Sequence, residues 1–239
     1  MSNTPTVRRA VVKLSGETLA GKLGRGIDFE MLDRVCRVLA ECASLGVELG
    51  VVVGAGNFWR GVKDGGGKLD RVRADHMGML ATTMNAIAIG DALERAGAAP
   101  LVLSATPMPA YADTYSPDRA RRALSEGKIV VVGGGTGNPY VSTDTGVVLR
   151  ALEMKAELTL MAKNVDGVYD RDPHEPGAVK FDRLSYRRIL ADHLNAIDQS
   201  AACMAGDNGL VIRLFALEQP ESIREVLLGA TPGTLLTND

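Results

Sequence analysis

Residues 133–144 read Gly-Gly-Gly-Thr-Gly-Asn-Pro-Tyr-Val-Ser-Thr-Asp, and they join a strand-like run at residues 129–132 to a helical pattern that begins near Thr145. A strand, a glycine turn and a helix in this order form the unit of an α/β fold. Glycines let the backbone turn sharply and bring its amides close to a ligand, and the closing Ser-Thr-Asp suits a helix N-cap. Amides at the positive end of a helix dipole bind anions. The stretch therefore predicts a phosphate site, with a turn that serves only tight packing as the alternative.

The remainder of the chain repeats this alternation of apolar strands and amphipathic helices. Further strands are predicted at residues 7–14, 47–53, 100–104, 157–162, 210–216 and 233–237. Helices are predicted after Asp28, at residues 71–95, from Ser116-Pro117, and at residues 145–155, 184–190, 197–205 and 221–228. This order predicts a three-layer α/β/α sandwich with a mostly parallel central sheet. We expect one domain over residues 1–239, with residues 1–6 disordered.

The composition excludes several classes of protein. Lys and Arg total 27 against 29 Asp and Glu, so no polybasic surface for nucleic acid or anionic lipid is expected. No stretch approaches the roughly 18 apolar residues of a membrane span, and the short polar N-terminus lacks a signal-peptide core. We therefore expect a cytoplasmic protein with neither nucleic acid nor membrane as partner. Cys36, Cys42 and Cys203 show neither metal spacing nor a disulfide framework and are predicted to be buried thiols.

Four polar loops each follow an apolar strand, at residues 13–16, 54–61, 133–144 and 163–172. Parallel strands bring such loops to the carboxyl edge of the sheet, where open α/β sheets bind ligands. Their lysines, arginine, carboxylates and bare amides suit phosphoryl transfer, which needs mainly alignment and charge stabilisation. The sequence contains neither a dinucleotide fingerprint nor a Walker A motif, and no Ser-His-Asp arrangement or zinc motif competes.

Each of these loops has a plainer interpretation when it is taken alone. Lys13 also fits an exposed lysine at a strand end, and residues 163–173 also fit a structural turn. His76, within the long helical pattern, more often makes a polar contact than acts as a catalyst.

Six motifs together resemble those of one family. They are Lys13-Leu14-Ser15-Gly16-Glu17, the run Gly54-Ala55-Gly56-Asn57-Phe58-Trp59-Arg60-Gly61, the run Asp75-His76-Met77-Gly78-Met79-Leu80-Ala81-Thr82, Gly135-Thr136-Gly137-Asn138-Pro139-Tyr140, Thr143-Asp144, and Asn164-Val165-Asp166-Gly167-Val168-Tyr169. In this order, between Val7 and Thr237, they look like those of the bacterial uridylate (UMP) kinases of the amino-acid kinase superfamily. The runs at residues 75–82 and 135–140 separate this family from relatives that act on carbamate, acetylglutamate or aspartate.

The resemblance implies an amino-acid kinase fold and a nucleoside monophosphate kinase. Such an enzyme transfers the γ-phosphoryl group of ATP to UMP, giving UDP and ADP, in pyrimidine nucleotide biosynthesis. Mg²⁺ bound with ATP is the implied cofactor. A homohexamer and the allosteric effectors GTP and UTP are implied as well.

The resemblance also implies roles for individual residues. Catalytic roles are implied for Lys13, Arg60, Asp144 and Asp198, with the two aspartates orienting the lysine and the metal. ATP contacts are implied for Lys13, Leu14, Ser15, Gly16, Gly56, Arg60, Asn164, Tyr169 and Asp172. UMP contacts are implied for Ala55, Asp75, Thr136, Gly137, Asn138, Pro139, Tyr140, Val141, Ser142 and Thr143. No residue is assigned as a metal ligand.

Three residues depart from the family pattern. Ala55 stands where a second glycine is usual, and at positive φ its methyl group would cost of order 1 kcal/mol and weaken UMP binding. Arg25 replaces a commoner apolar residue in a loop associated with GTP activation, and Val141 fills a place that is often aromatic. Two alternatives stay open: a non-catalytic nucleotide- or oxyanion-binding relative of the molybdenum-storage type, and a kinase of another small phosphate or carboxylate.

Overall fold

Nine strands form the central sheet of the computed structural model, which describes residues 4–60, 64, 67–163, 165–194, 196–217 and 219–238. The strands of the chain are β1 Arg9–Leu14, β2 Glu48–Val53, β3 Pro100–Ser104, β4 Asp113–Thr114, β5 Ile129–Gly133, β6 Leu158–Lys163, β7 Val168–Tyr169, β8 Lys180–Phe181, β9 Arg183–Ser185, β10 Ile212–Ala216 and β11 Thr234–Thr237. The sheet order is β4-β3-β5-β2-β1-β6-β10-β11-β9, and β7 pairs with β8 in a separate antiparallel hairpin. Within the large sheet, β10 and β11 are antiparallel, and every other neighbouring pair is parallel.

Helices cover both faces of this sheet. They are α1 Gly16–Ala20, α2 Phe29–Ser44, α3 Arg71–Arg95, α4 Pro117–Ser125, α5 Thr143–Met154, α6 Tyr186–Ala191, α7 Gln199–Asp207 and α8 Glu221–Leu227, with a 3-10 turn at Gly21–Leu23. Side-chain oxygens cap several N-termini: Asp28 caps α2, Ser142 caps α5 and Asp198 caps α7. Each cap satisfies backbone N–H groups that have no partner within the helix.

The two faces of the sheet bury separate apolar cores. On β1, Ala10, Val12 and Leu14 point to the core that contains α2, α3 and α8. Val11 points the other way, to the core that contains α4, α5, α6 and α7. Because side chains alternate along a strand, Lys13 lies on the same face as Val11, under α5. The predicted three-layer sandwich with a mostly parallel sheet is confirmed.

The short elements are where the sequence prediction was wrong. A helix was expected over residues 184–190, but Arg183–Ser185 pairs with β11 as β9 and α6 begins only at Tyr186. Strand β4, the hairpin of β7 and β8, and helix α1 were not predicted. Elements of two to five residues are too short to show a hydrophobic period.

Three other expectations concern the termini and the surface. Residues 1–3 lie outside the described part, but Thr6 donates its backbone N–H to the Leu227 carbonyl at 2.9 Å, so the expected disorder does not extend to Thr6. Cys36 and Cys42 are buried as predicted, whereas Cys203 is exposed because it lies on the outer side of α7. Across the described ranges, no helix is both long enough and apolar enough to span a membrane.

Candidate active site

Two adjoining cavities open at the carboxyl ends of the central strands. The Lys13 cavity, about 300 Å³, is lined by Lys13, Ser15, Gly16, Glu17, Gly54, Ala55, Gly56, Thr143, Ala162 and Lys163. The Asp75 cavity, about 380 Å³, is lined by Ala55, Gly56, Trp59, Arg60, Arg71, Ala74, Asp75, Gly78, Met79, Thr82, Gly135, Thr136, Asn138 and residues 140–143. The two share Ala55, Gly56 and Thr143, so the loops that follow β1, β2, β5 and β6 meet here as predicted.

Two further cavities continue on the other side of the Lys13 cavity. The Leu217 cavity, about 490 Å³, is lined by Lys163, Val165, Asp166, Pro173, His174, Ala216 and Leu217. The Tyr169 cavity, about 560 Å³, is lined by Val165, residues 167–174 and residues 192–194. Lys163 belongs to both the Lys13 and the Leu217 cavities, and Val165 belongs to both of the outer ones. The four cavities therefore follow one another along the edge of the sheet.

Lys13 is held by a carboxylate on the neighbouring helix. Its Nζ donates to Oδ1 of Asp144 at 2.7 Å, and Lys163 Nζ donates to Oδ2 of the same carboxylate at 2.9 Å. Asp144 lies in the first turn of α5, because the Ser142 hydroxyl accepts the Thr145 N–H and starts the helix two residues earlier than predicted. The pair of lysines is thereby fixed in a cavity whose lining also includes Gly16, Gly54 and Gly56.

The charges around Asp144 keep it ionised. Burial alone would raise the pKa of its carboxyl group, but the ammonium groups of Lys13 and Lys163 outweigh burial and hold the pKa below its usual value. The carboxylate and the two lysines together carry a net charge of +1. A net positive charge at the lining of a cavity suits an anionic ligand.

Asp198 makes different contacts from Asp144. Its carboxylate caps α7 by accepting the Ala201 N–H at 2.9 Å, and it also accepts the hydroxyls of Ser142 and Thr145. It thus ties the start of α5 to the start of α7. Among the contacts of the described residues, Asp144 and not Asp198 reaches Lys13.

Gly16 allows two loops to approach each other closely. A Cβ placed on Gly16 would lie 2.5 Å from the Gly56 backbone nitrogen and 2.4 Å from Asn57 Oδ1, distances at which side-chain carbons do not occur. The Asn57 amide is in turn fixed by a reciprocal pair of hydrogen bonds with the buried Asn85 amide on α3, at 2.8 and 2.9 Å. Because Asn85 also donates to the Gly54 carbonyl at 2.8 Å, α3 holds the turn after β2 rigidly against the first loop.

Arg60 lies on the rim that joins the two loops. Its Nε donates to the Gly56 carbonyl at 3.3 Å, and its guanidinium pairs with the Glu17 carboxylate. Both side chains are partly exposed, so this ion pair contributes little to stability and leaves the guanidinium near solvent. A partly exposed arginine at the lining of the Asp75 cavity can turn toward an anion at small cost.

Asp75 bridges the two walls of its cavity. Its Oδ2 accepts the Tyr140 backbone N–H at 2.8 Å and Arg71 Nε at 2.8 Å. The Arg71 guanidinium also lies over the Tyr140 ring, 4.9 Å from its centroid. Tyr140 has a φ of 66°, in the left-handed region, and the hydrogen bond to Asp75 offsets the strain of that conformation.

The glycine-rich turn after β5 is anchored to helix α3 and to the residues around Ala105. The Gly134 N–H donates to the Thr82 hydroxyl of α3 at 2.8 Å, and Gly134 has a φ of 75°. A Cβ there would lie 2.9 Å from the Ala105 backbone nitrogen, so only glycine fits this position. The Gly135 carbonyl accepts a hydrogen bond from Arg150 Nη2 at 3.2 Å. The close packing that was the alternative interpretation of this turn is therefore present at Gly134.

The structure brings most of the predicted UMP residues together, but not all of them. Ala55, Asp75, Thr136, Asn138, Tyr140, Val141, Ser142 and Thr143 line the Asp75 cavity. Gly137 and Pro139 belong to the same loop without lining it, and Gly137 instead packs against the backbone of Ala105.

The predicted ATP residues divide among three cavities, since Arg60 lines the Asp75 cavity and not the Lys13 cavity. Ser15, Gly16 and Gly56 line the Lys13 cavity, whereas Tyr169 and Asp172 line the Tyr169 cavity. The Leu14 side chain is fully buried and only its backbone carbonyl reaches the loop region, where it accepts the Gly54 N–H at 2.9 Å. Asn164 lies outside the described residues.

Sequence reasoning missed several residues that line the site. Trp59, Arg71, Met79 and Thr82 line the Asp75 cavity, and Lys163 lines two others. Lys163 carried the same signal as Lys13, since each lysine lies at or next to the end of a buried strand. The contact between Arg71 and Asp75 could also have been predicted from the sequence, because residues four apart lie on one face of a helix.

The structure places each of the three residues that depart from the family pattern, Ala55, Val141 and Arg25. Ala55 is not among the described non-glycine residues with positive φ, so the expected backbone strain is absent there. Val141 is partly exposed at the margin of the Asp75 cavity. Arg25 is exposed on the turn before α2.

A metal ion would have few protein ligands here. Within the described ranges, no group of three or more His, Cys, Asp or Glu side chains is placed to hold one. Asp144, beside the Lys13 cavity, has both oxygens engaged by lysines. Magnesium in nucleotide sites usually takes one or two carboxylates together with substrate phosphates and water. The residues therefore fit a magnesium ion that is held mainly by nucleotide phosphates.

Comparison with known proteins agrees with this geometry. The profile of the Amino acid kinase family matches residues 8–213. The chain is 43% identical over 235 residues to the uridylate kinase of Marinobacter nauticus, covering 98% of this chain and 97% of that protein. It is 41% identical over 239 residues to the uridylate kinase of Saccharophagus degradans, covering 99% and 97%. The crystal structure of UMP kinase from Bacillus anthracis is 34% identical and superimposes with a TM-score of 0.93 over 98% of this chain and 97% of that one. The chain therefore belongs to the amino acid kinase family, in the branch that contains the uridylate kinases.

Proposed function

We propose that the chain is a UMP kinase, which transfers the γ-phosphoryl group of ATP to UMP and releases UDP and ADP. The observation that carries the proposal is that two nucleotide-sized spaces meet at Lys13. The Asp75 cavity lies on one side of Lys13, and the Leu217 and Tyr169 cavities lie on the other. Two nucleotides bound in these spaces would bring their phosphates together in the Lys13 cavity. The uridylate kinase relatives, similar over nearly their whole length, support the choice of acceptor.

The two nucleotides would take opposite ends of the site. UMP would occupy the Asp75 cavity, with Asp75 Oδ1 facing the ribose hydroxyls while Oδ2 stays bonded to Tyr140. The loop from Thr136 to Thr143 would surround its phosphate and base. ATP would lie along the Leu217 and Tyr169 cavities, with its phosphates against the amides of Ser15 and Gly16.

The reaction needs no general base. A phosphate monoester has a second pKa near 6, so the UMP phosphate is already an ionised nucleophile at neutral pH. The chain's own contribution is to align two anions and to reduce the repulsion between them. Lys13 and Arg60 would supply positive charge, Asp144 would hold Lys13 in place, and the amides of Gly16 and Gly56 would fix the phosphate chain. Magnesium bound with ATP would supply further charge neutralisation at the β- and γ-phosphates.

Two other functions are less well supported. A storage or sensing protein would need the nucleotide cavity but not the paired charges around Lys13 or the second cavity at Asp75. A kinase of another small phosphate or carboxylate would also need the Lys13 cavity, but it would not explain the similarity of this chain to uridylate kinases.

The first prediction concerns the acceptor. We expect ADP release from ATP and Mg²⁺ to depend on UMP, with CMP, dUMP and no acceptor each giving at most about a tenth of the rate, because a polar site rejects an analogue that leaves its groups unpaired. Coupled measurement of ADP across these four conditions tests it. Equal rates with every acceptor, or ATP binding without any turnover, would move one of the two alternatives into first place.

We also propose that the chain forms a homo-oligomer, and specifically the hexamer that its family resemblance implies. Helix α3 carries one apolar stripe that is exposed in the single chain: Met77, Leu80, Met84 and Ile87, each at least 41% exposed. Their spacing of three and four residues places them on one face of the helix. An exposed apolar face of this kind favours contact with another copy of the chain.

The second prediction tests this face. A Leu80→Asp variant is expected to have a smaller mass in solution than the wild type at micromolar concentration, because a buried carboxylate at an apolar interface is strongly disfavoured. Light scattering after size exclusion measures the mass, and Val179→Asp, which changes a 58% exposed side chain elsewhere, serves as the matched control. A wild-type monomer, or an unchanged mass in Leu80→Asp, would contradict the assignment of this face.

The remaining parts of the proposal follow the resemblance. We assign the reaction to pyrimidine nucleotide synthesis in the cytoplasm, with GTP and UTP as candidate effectors. The exposed Arg25 stands in the loop where an effector response would be altered.

A further inference from the structure

Lys163 has a position that closely matches that of Lys13. In the pairing of β1 with β6, Lys13 lies opposite Met161. Paired residues of parallel strands point to the same face, and so do residues two apart on one strand. Lys163, two residues beyond Met161, therefore projects from the same face of the sheet as Lys13, one step closer to the open edge.

The two lysines share one carboxylate. Each takes a different oxygen of Asp144, and both side chains are largely buried, with 11% and 20% of their surface exposed. Lys163 Nζ donates in addition to the Ala196 carbonyl at 2.5 Å. An ammonium group has three donors. The contacts of the described residues thus engage two donors of Lys163 and leave the third for a ligand.

The cavities show where that ligand would lie. Lys163 is the residue common to the Lys13 and Leu217 cavities. A nucleotide whose base lies in the outer cavities and whose terminal phosphate lies at Lys13 must pass its phosphate chain across Lys163. The charge on Lys163 is also only half compensated, because one carboxylate serves two ammonium groups.

We propose that Lys163 is a second catalytic cation that contacts the donor's phosphates and stabilises the leaving group. This inference rests on the proposed function. As the γ-phosphorus forms its bond to a UMP phosphate oxygen, its bond to the bridging oxygen breaks and negative charge passes to the β-phosphate of ADP. Lys163 lies beside that oxygen, while Lys13 faces the transferring group. No proton is moved, and no further reactant is needed.

The test compares Lys163→Met and Lys163→Arg with the wild type. Methionine keeps the length of the side chain and removes the charge. We expect kcat to fall by about 10²-fold in Lys163→Met, the size of effect seen when one charge-stabilising donor is lost, with KM for UMP within about twofold. Lys163→Arg is expected to retain at least about tenfold more turnover than Lys163→Met, because it keeps the charge. Lys128→Met is the matched control, since Lys128 is partly exposed, pairs with Glu126 and lies before β5 at the opposite end of the sheet.

A binding measurement separates a contact with phosphate from a structural role. Calorimetry with a non-hydrolysable β,γ-analogue of ATP and with AMP should show about tenfold weaker binding of the triphosphate in Lys163→Met and nearly unchanged binding of AMP. Equal weakening of both ligands, or turnover within threefold of the wild type, would overturn the inference. A wild type without UMP-dependent turnover would instead overturn the proposed function, and the ratio of the two affinities would still decide whether Lys163 contacts phosphate.

Discussion

A Lys13→Met variant is expected to lose UMP-dependent ADP release by at least about 10³-fold, the scale on which a single cation contributes to phosphoryl transfer. Lys13 lies between the two halves of the site: it lines the Lys13 cavity, its side chain is 11% exposed, and its ammonium group is held by Asp144 at 2.7 Å. Methionine fills the same space without charge, so the fold and the two outer cavities should persist.

The measurement is a comparison of kcat with KM for both nucleotides. If Lys13 acts mainly on the transferring group, kcat falls while KM for UMP changes by less than about threefold, because the Asp75 cavity does not include Lys13. Lys128→Met again controls for the loss of a lysine. Thermal unfolding of both variants distinguishes loss of chemistry from loss of structure. Turnover of Lys13→Met within tenfold of the wild type would contradict the role of Lys13 in catalysis.

The long elements of this fold could be predicted from the sequence because their signals are local. The helix at Arg71–Arg95 and the strand at Pro100–Ser104 have the predicted bounds, since apolar periodicity, Asp70 as N-cap and Pro100 mark them directly. The parallel order of the sheet also followed from alternating strands and helices. By contrast, Arg183–Ser185 became a strand only because β11 lies beside it, and no pattern in three residues predicts such a partner.

The site could be predicted only in part, for a related reason. Lys13 and Asp144 were identified through motifs, but their direct contact joins residues 131 positions apart in the chain. The second contact of Asp144, with Lys163, depends on the register between β1 and β6, which the sequence does not state. The strain expected at Ala55 rested on the glycine that the family usually has at that position, whereas Ala55 is not among the described non-glycine residues with positive φ. Motifs therefore located the residues, and strand register decided their partners.

Asp144→Asn is expected to reduce kcat by about 10³-fold while UMP binding stays measurable, because the substitution removes the charge that holds both lysines. An amide can accept from one lysine through Oδ1, but its NH₂ group then faces the other ammonium, so one of the two contacts at 2.7 and 2.9 Å must break. Lys13 and Lys163 would also repel each other without an anion between them. Asp113→Asn, which changes an exposed carboxylate paired with Arg119 and lines none of the four cavities, is the matched control.

Asp144→Asn is also expected to change how the free energy of unfolding depends on pH. In the folded wild type, the pKa of Asp144 is lowered: burial raises it, but the two lysines more than offset burial. A carboxyl group with a depressed folded pKa stabilises the fold above its unfolded pKa of about 3.9, and this contribution is lost as pH falls through the folded value. We therefore expect Asp144→Asn to lower the free energy of unfolding by about 1–3 kcal/mol at pH 7 and by less near pH 3. Urea unfolding between pH 7 and pH 3 measures the difference. A gap between wild type and variant that stays constant over this range, or near-normal turnover of the variant, would show that the carboxylate does not organise the lysines.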